Sequence, residues 1–229
     1  MKKSIPFFIL FFWIGLVHAQ LPKMMMPMGH TSGINTIFFS PDGTRALTAS
    51  KDQTAKLWDV QSGTLLADLE GHTGSVSFAV FSPDGKRIIT ASVDGHVKVW
   101  DGQDATLIKD IKGIYDNVSE SFMTPDIFSP DGTKFVTFNK TYVNVFNTGS
   151  GAFLFEMHGS TRPIEAPYDM FWSAGFSPDG KNIITYSSLS RERIWDAKTG
   201  LLLQTIENDP QLPYNKENKS SFRDRKSVV

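Results

Sequence analysis

The chain has 229 residues, 40% of them hydrophobic and 21% charged, with a formal net charge of −1 and no cysteine. That length and apolar content can bury the core of one domain, while the missing thiols exclude disulfides, thiolate metal sites and a cysteine nucleophile. Charge is nearly balanced and the interior of the chain carries no basic stripe, so nothing marks a nucleic-acid footprint.

At the N-terminus, Lys2 and Lys3 precede an apolar run of 13 residues, Ile5 to Val17, followed by Ala19 before Gln20. A short positive head, a short apolar stretch and a small-residue end are the marks of a signal peptide, and the run is too short for the ~30 Å core of a bilayer. The pattern predicts a signal peptide over residues 1–19, cut before Gln20, and a secreted or periplasmic chain with no transmembrane segment after cleavage. Removing it leaves 21 Lys and Arg against 24 Asp and Glu. Residues 20–28 form a Met-rich N-terminal segment in which Pro22 and Pro27 restrict any strand to a sheet edge. It is a candidate edge strand for closing a ring.

From there the sequence repeats. The pentapeptide FSPDG returns at residues 39–43, 81–85, 128–132 and 176–180, at intervals of 42, 47 and 48 residues. Each copy is followed 15, 15, 14 or 15 residues after its glycine by an aromatic: Trp58, Trp100, Phe146 or Trp195. Five residues further stands Gly63, Ala105, Gly151 or Gly200. Such self-similarity marks a repeat architecture. In the second unit the runs VSFAVFS, RIITAS, HVKVWD and TLIKDI read as four short strands between turn residues. SPDG is the corner between the first and second strands: proline presets φ, aspartate accepts from nearby backbone, and glycine tolerates positive φ. The fold expected is all-β, with blades of about 29–70, 71–112, 113–158 and 159–207, followed by a disordered tail over 208–229.

The pairs Gly29–His30 and Gly71–His72, the FSPDG corners, and Trp58–Asp59, Trp100–Asp101 and Trp195–Asp196 resemble the WD-repeat β-propeller family. The resemblance spans about residues 29–207, with the third and fourth copies degenerate. It implies a β-propeller of four-stranded blades, either four-bladed or open and partial, and a structural hydrogen-bond network in each blade. In copy one the network residues are His30, Thr48 (or Ser50), Asp52 and Trp58; in copy two they are His72, Thr90 (or Ser92), Asp94 and Trp100. Ile114 and Ser160 replace the histidine in the later copies, although Thr137 and Thr185 keep the threonine. Those blades should rely on apolar packing and be the softer half.

Catalytic signatures are missing. Beyond residue 20 the histidines are His30, His72, His96 and His158, with no H-E-x-x-H or G-x-S-x-G pattern. Asp42, Asp84, Asp131 and Asp179 occupy equivalent corners of different blades and would form a ring, so a shared metal is not expected. No catalytic residue, metal or cofactor is assigned. Where the period stretches, residues 114–126 and 160–175, the extra length falls in one type of connection, which places it on one face. Tyr115, Arg162, Tyr168 and Trp172 in these stretches are candidate partner-binding residues of hot-spot type, whereas Met123 and Phe171 align with Ile34 and Val76 as core. Asp126 aligns with Ile37, Ala79 and Ala174, a position that should face the core, so either the register slips locally after Pro125 or this carboxylate lines the central channel.

Propellers close with about 4–8 blades, and four would demand ~90° between neighbours. Four repeats this close to the family pattern predict an open arc, completed by a second copy in an eight-bladed homodimer, by a partner propeller, or by sequence missing from a truncated product. The tail after Pro210 carries no further corner motif, and residues 214–229 hold five Lys and Arg against two Asp and Glu. The leading expectation is an exported, non-catalytic scaffold for a protein or peptide. The alternative is a small-ligand-binding or hydrolytic propeller working at the channel mouth around Asp126, Arg162 and Tyr168, or a fragment of a larger seven- or eight-bladed protein.

Overall fold

The computed structural model of the chain describes residues 29–112, 127–138, 141–158, 170–188 and 191–207. Among these residues fifteen strands form four antiparallel sheets, each a meander in which neighbours in sequence are neighbours in space. The first blade comprises β1 (Ile34–Phe39), β2 (Arg45–Ser50), β3 (Ala55–Asp59) and β4 (Leu65–Leu69). The second comprises β5 (Val76–Phe81), β6 (Arg87–Ser92), β7 (His96–Asp101) and β8 (Leu107–Lys112). The third has β9 (Lys134–Phe138), β10 (Tyr142–Asn147) and β11 (Phe153–His158). The fourth has β12 (Phe171–Phe176), β13 (Asn182–Ser187), β14 (Arg191–Asp196) and β15 (Leu202–Glu207).

Three strands of the third blade are described, and residues 113–126, where its inner strand is expected, lie outside the described residues. At the inner position the described residues make a single bridge, Phe128 to Phe135, in the register that Phe39, Phe81 and Phe176 use against β2, β6 and β13. Among the described residues only Ile127 and Phe128 precede that corner, enough for one bridge but not a ladder.

The repeats agree down to their irregularities. The inner strand carries a register shift at Ile34/Thr36, Val76/Phe78 and Phe171/Ser173. The third strand shifts just before Trp58, Trp100, Phe146 and Trp195. An extra residue at these points twists the ladder locally and re-aims the side chains that follow.

Alternation gives every blade two faces. Val76, Ala79, Phe81, Ile88 and Trp100 of the second blade bury themselves against Leu47, Ala49, Ala55, Leu57 and Leu69 of the first. The first set is the blade's leading face, toward the preceding blade, and the second is the trailing face of its neighbour. A larger core joins the second, third and fourth blades in the same way, from Ile89 and Val99 through Val136 and Val145 to Phe176 and Trp195.

Candidate functional site

Serine, aspartate and glycine in each FSPDG corner are absorbed by the turn. Ser40 Oγ donates to Asp42 Oδ1 at 2.5 Å and accepts from Arg45 N–H at 2.9 Å. The same pair of bonds recurs at Ser82, Ser129 and Ser177. Gly43 donates its N–H to Ser40 O, and its φ of 71° is repeated within two degrees in the other three corners. Only glycine takes that conformation without strain. The Ser40 hydroxyl and the Thr44 N–H hold Asp42 down at about 2. Asp131 and Asp179 are lowered chiefly by Ser129 and Ser177; at Asp84 burial opposes the shift, and the Ser82 hydroxyl, the Lys86 N–H and the Lys86 charge together outweigh it. A carboxylate so committed is a permanent acceptor, unsuited to moving protons near neutral pH.

The residues assigned to the family network are brought together in the first two blades. Trp58 Nε1–H donates to Thr48 Oγ1 (2.8 Å), which lies 2.6 Å from His30 Nε2, and His30 Nδ1 lies 2.9 Å from Asp52 Oδ2. In the second blade Trp100 reaches Thr90 at 2.9 Å, Thr90 reaches His72 at 2.8 Å, and His72 reaches Asp94 at 3.0 Å. Asp94 Oδ2 also accepts from Thr73 N–H and Oδ1 from His96 N–H. An ionised carboxylate requires a proton on Nδ1, which leaves Nε2 as the acceptor of the threonine hydroxyl; the hydroxyl oxygen then receives the indole N–H. This chain of bonds calls for a neutral imidazole. Burial of His72 pushes its pKa down in the same sense, against the pull of Asp94. Burial would raise Asp52 and Asp94, but hydrogen bonds from Thr54, Thr31 and His30, and from Thr73, His96 and His72, outweigh it and keep both low. Thr48 and Thr90, not Ser50 and Ser92, make these contacts. The serines instead accept Asp52 N–H and Asp94 N–H and tie the turn to Gly33 O and Gly74 O.

The later blades keep part of this. Trp195 Nε1–H donates to Thr185 at 3.0 Å. In the third blade Phe146 replaces the indole and stacks on Phe135 at 5.2 Å. Thr137, fully buried, is left with a hydroxyl that meets no partner among the described residues.

Of the candidate partner-binding residues, Tyr115, Arg162 and Tyr168 lie outside the described residues, as do Met123 and Asp126. Trp172 is described. It belongs to strand β12, is 41% exposed, and meets Tyr186 edge-on at 6.0 Å. Tyr186 occupies the position of Ala49, Ala91 and Phe138 on the trailing face, so Trp172 sits on an open blade face and not in a connection. Phe171 is buried as core.

Sequence reading missed a set of contacts between blades. The first residue of the second strand reaches the next blade's turn: Arg45 donates to Gly102 O, Arg87 Nε to Gly149 O (3.3 Å), and Lys134 Nζ to Ala197 O (2.8 Å). Arg45 also lies over the Phe81 ring, 5.3 Å from its centroid. A repeated basic residue two places after FSPDG was the available signal; Asn182 breaks it.

Among the described residues no group of three acidic or histidine side chains is arranged to hold a metal, and no helix is long and apolar enough to cross a membrane. A family model for the WD domain, G-beta repeat, matches residues 23–59 and 63–101. A stretch of 44 residues is 43% identical to Periodic tryptophan protein 2 of Saccharomyces cerevisiae, covering 19% of this chain and 5% of that protein. The two matched repeats fall on the first two blades, the ones that hold the His–Thr–Asp–Trp network, and over them the chain is similar to the WD domain, G-beta repeat.

Proposed function

We propose that the chain is an exported, non-catalytic WD-repeat scaffold that binds a protein or peptide. The observation that carries this reading is the contrast between its polar and aromatic residues. Serines, aspartates and histidines of the kind that build active sites are spent on corners and networks, while Trp172 presents a large ring to solvent on a blade face. Exposed tryptophan and tyrosine beside a rigid sheet are the usual anchors of an interface. Tyr115, Arg162 and Tyr168, which lie outside the described residues, are of the same hot-spot types in the sequence. Export follows from the N-terminal pattern of Lys2, Lys3 and the apolar run, with release before Gln20 into the periplasm or medium.

Affinity capture from the native compartment tests the binding reading. Trp172→Ala and Tyr168→Ala should each lose the captured protein with an unchanged melting temperature; capture indifferent to both overturns it. N-terminal sequencing of the chain made with its own leader should begin at Gln20. An intact Met1 in the cytoplasmic fraction overturns export.

A further inference from the structure

The leading face of the first blade is bare. Ile34, Ile37 and Phe39 are 51%, 56% and 62% exposed. Their equivalents Val76, Ala79 and Phe81, and again Phe171, Ala174 and Phe176, are at most 5% exposed, because a preceding blade covers them. Ala46 and Trp58 on the same face are likewise half-buried where Ile88 and Trp100 are buried. The corners tell the same story. A methyl group built on Gly85, Gly132 or Gly180 would lie 3.6, 3.6 or 3.2 Å from the ring of Pro41, Pro83 or Pro130 in the blade before; around Gly43 there is nothing within 4 Å.

A complementary surface stands at the other end of the arc. The trailing face of the fourth blade carries Ile184, Tyr186, Ile194 and Ile206 at the positions of Leu47, Ala49, Leu57 and Leu69. Tyr186, Ile194 and Ile206 are partly exposed, and Trp172 flanks them. Glu192 replaces Ala55 there, on the third strand. Lys56 shares the leading side of β3 with Trp58, and its ammonium is already paired with Asp68.

We infer that two copies of this chain close a ring of eight blades, the fourth blade of each docking on the first blade of the other. Each joint repeats the packing already made between the first and second blades: Gly43 stacks on the other copy's Pro178, and Phe39 lies beneath its Asn182 as Phe81 lies beneath Arg45. Two such head-to-tail joints close by a two-fold axis, at about 45° between blades. The pairing rests on the reading of Trp172 as an interface residue and names its occupant.

Sedimentation velocity on the purified chain should give twice the chain mass. Phe39→Glu, at a site already open in the single chain, should yield a monomer with an unchanged far-ultraviolet circular dichroism spectrum. Asn182→Arg restores the cation over the ring and should lower the dissociation constant by about fivefold or more. A monomeric wild type, an open-ended ladder of species, a Phe39→Glu dimer, or an Asn182→Arg dimer of unchanged affinity overturns the pairing. A monomer whose partner capture still depends on Trp172 overturns the pairing alone; capture indifferent to Trp172→Ala overturns the reading beneath it.

Discussion

Trp100 donates its indole N–H to the hydroxyl of Thr90 across 2.9 Å, inside the buried junction of the first two blades. Thr90 is thereby the hinge of the network: it accepts from the indole and donates to His72. Thr137 occupies the same place in the third blade with neither neighbour among the described residues. The two threonines should respond oppositely to one substitution. Thr90→Val strands a buried indole N–H and an imidazole nitrogen and should cost about 1–3 kcal/mol. Thr137→Val exchanges an unsatisfied buried hydroxyl for a methyl group and should be neutral or stabilise by up to about 1 kcal/mol. Urea unfolding midpoints of the two variants check this; equal destabilisation would show that the third-blade hydroxyl is satisfied after all.

Stability should fall in two stages as pH is lowered. His72 is held below its ordinary pKa by burial, so the unfolded state takes up a proton first, and stability begins to decline as pH drops below about 6.5. The aspartates shift the other boundary. Asp42, Asp52, Asp84, Asp94, Asp131 and Asp179 all have folded pKa values below the ordinary carboxylate value. Their contribution is complete above about pH 4 and is lost as pH falls toward the folded values, near 2 for Asp42. Thermal melts from pH 7 to pH 2 should show a shallow decline, then a steeper one below pH 4. Melting temperature independent of pH across the acid range would contradict both assignments.

Much of this architecture was legible because it is local. A corner made by Ser40, Asp42 and Gly43 within five residues needs nothing from the rest of the chain, and the distance from its glycine to Trp58 sets strand length and register together. The network was legible for a different reason: the residue types His30, Thr48, Asp52 and Trp58 recur at fixed spacing in the second blade. What escaped were relationships between repeats. Arg45 and Gly102 are 57 residues apart and belong to different blades, so no spacing within one unit reveals their contact. Trp172 was read as part of a long connection although Phe171 beside it aligned with core residues of the inner strand; it lies in that strand, and its ring meets Tyr186.

Ala105 has a φ of 61°, in the turn after the third strand where Gly63, Gly151 and Gly200 take 68°, 65° and 73°. Its N–H donates to Asp101 O just as those glycines donate to Asp59, Asn147 and Asp196. A Cβ is disfavoured in this region of backbone space, so Ala105→Gly should stabilise the chain by about 0.5–1 kcal/mol, even after the entropy glycine adds to the unfolded state. The urea midpoint should rise; a fall would mean that the packing of the Ala105 methyl against the first core outweighs the backbone strain.

Arg45 and Asn182 are equivalent residues with unequal duties. Arg45 ties the first blade to the second twice, by donating to Gly102 O and by lying over Phe81. Substituting methionine preserves much of the apolar stem but removes the charge-assisted bond and the cation over the ring, and should cost about 1–2 kcal/mol. Asn182 opens the second strand of the fourth blade, whose trailing face meets no blade within the described residues of this chain. Asn182→Met should therefore change the intrinsic stability of the single chain by less than about 0.5 kcal/mol. Denaturant titrations at low protein concentration compare the two directly. Equal losses would show that position 182 already grips a neighbour within its own chain, and the fourth blade would then not be the open end of the arc.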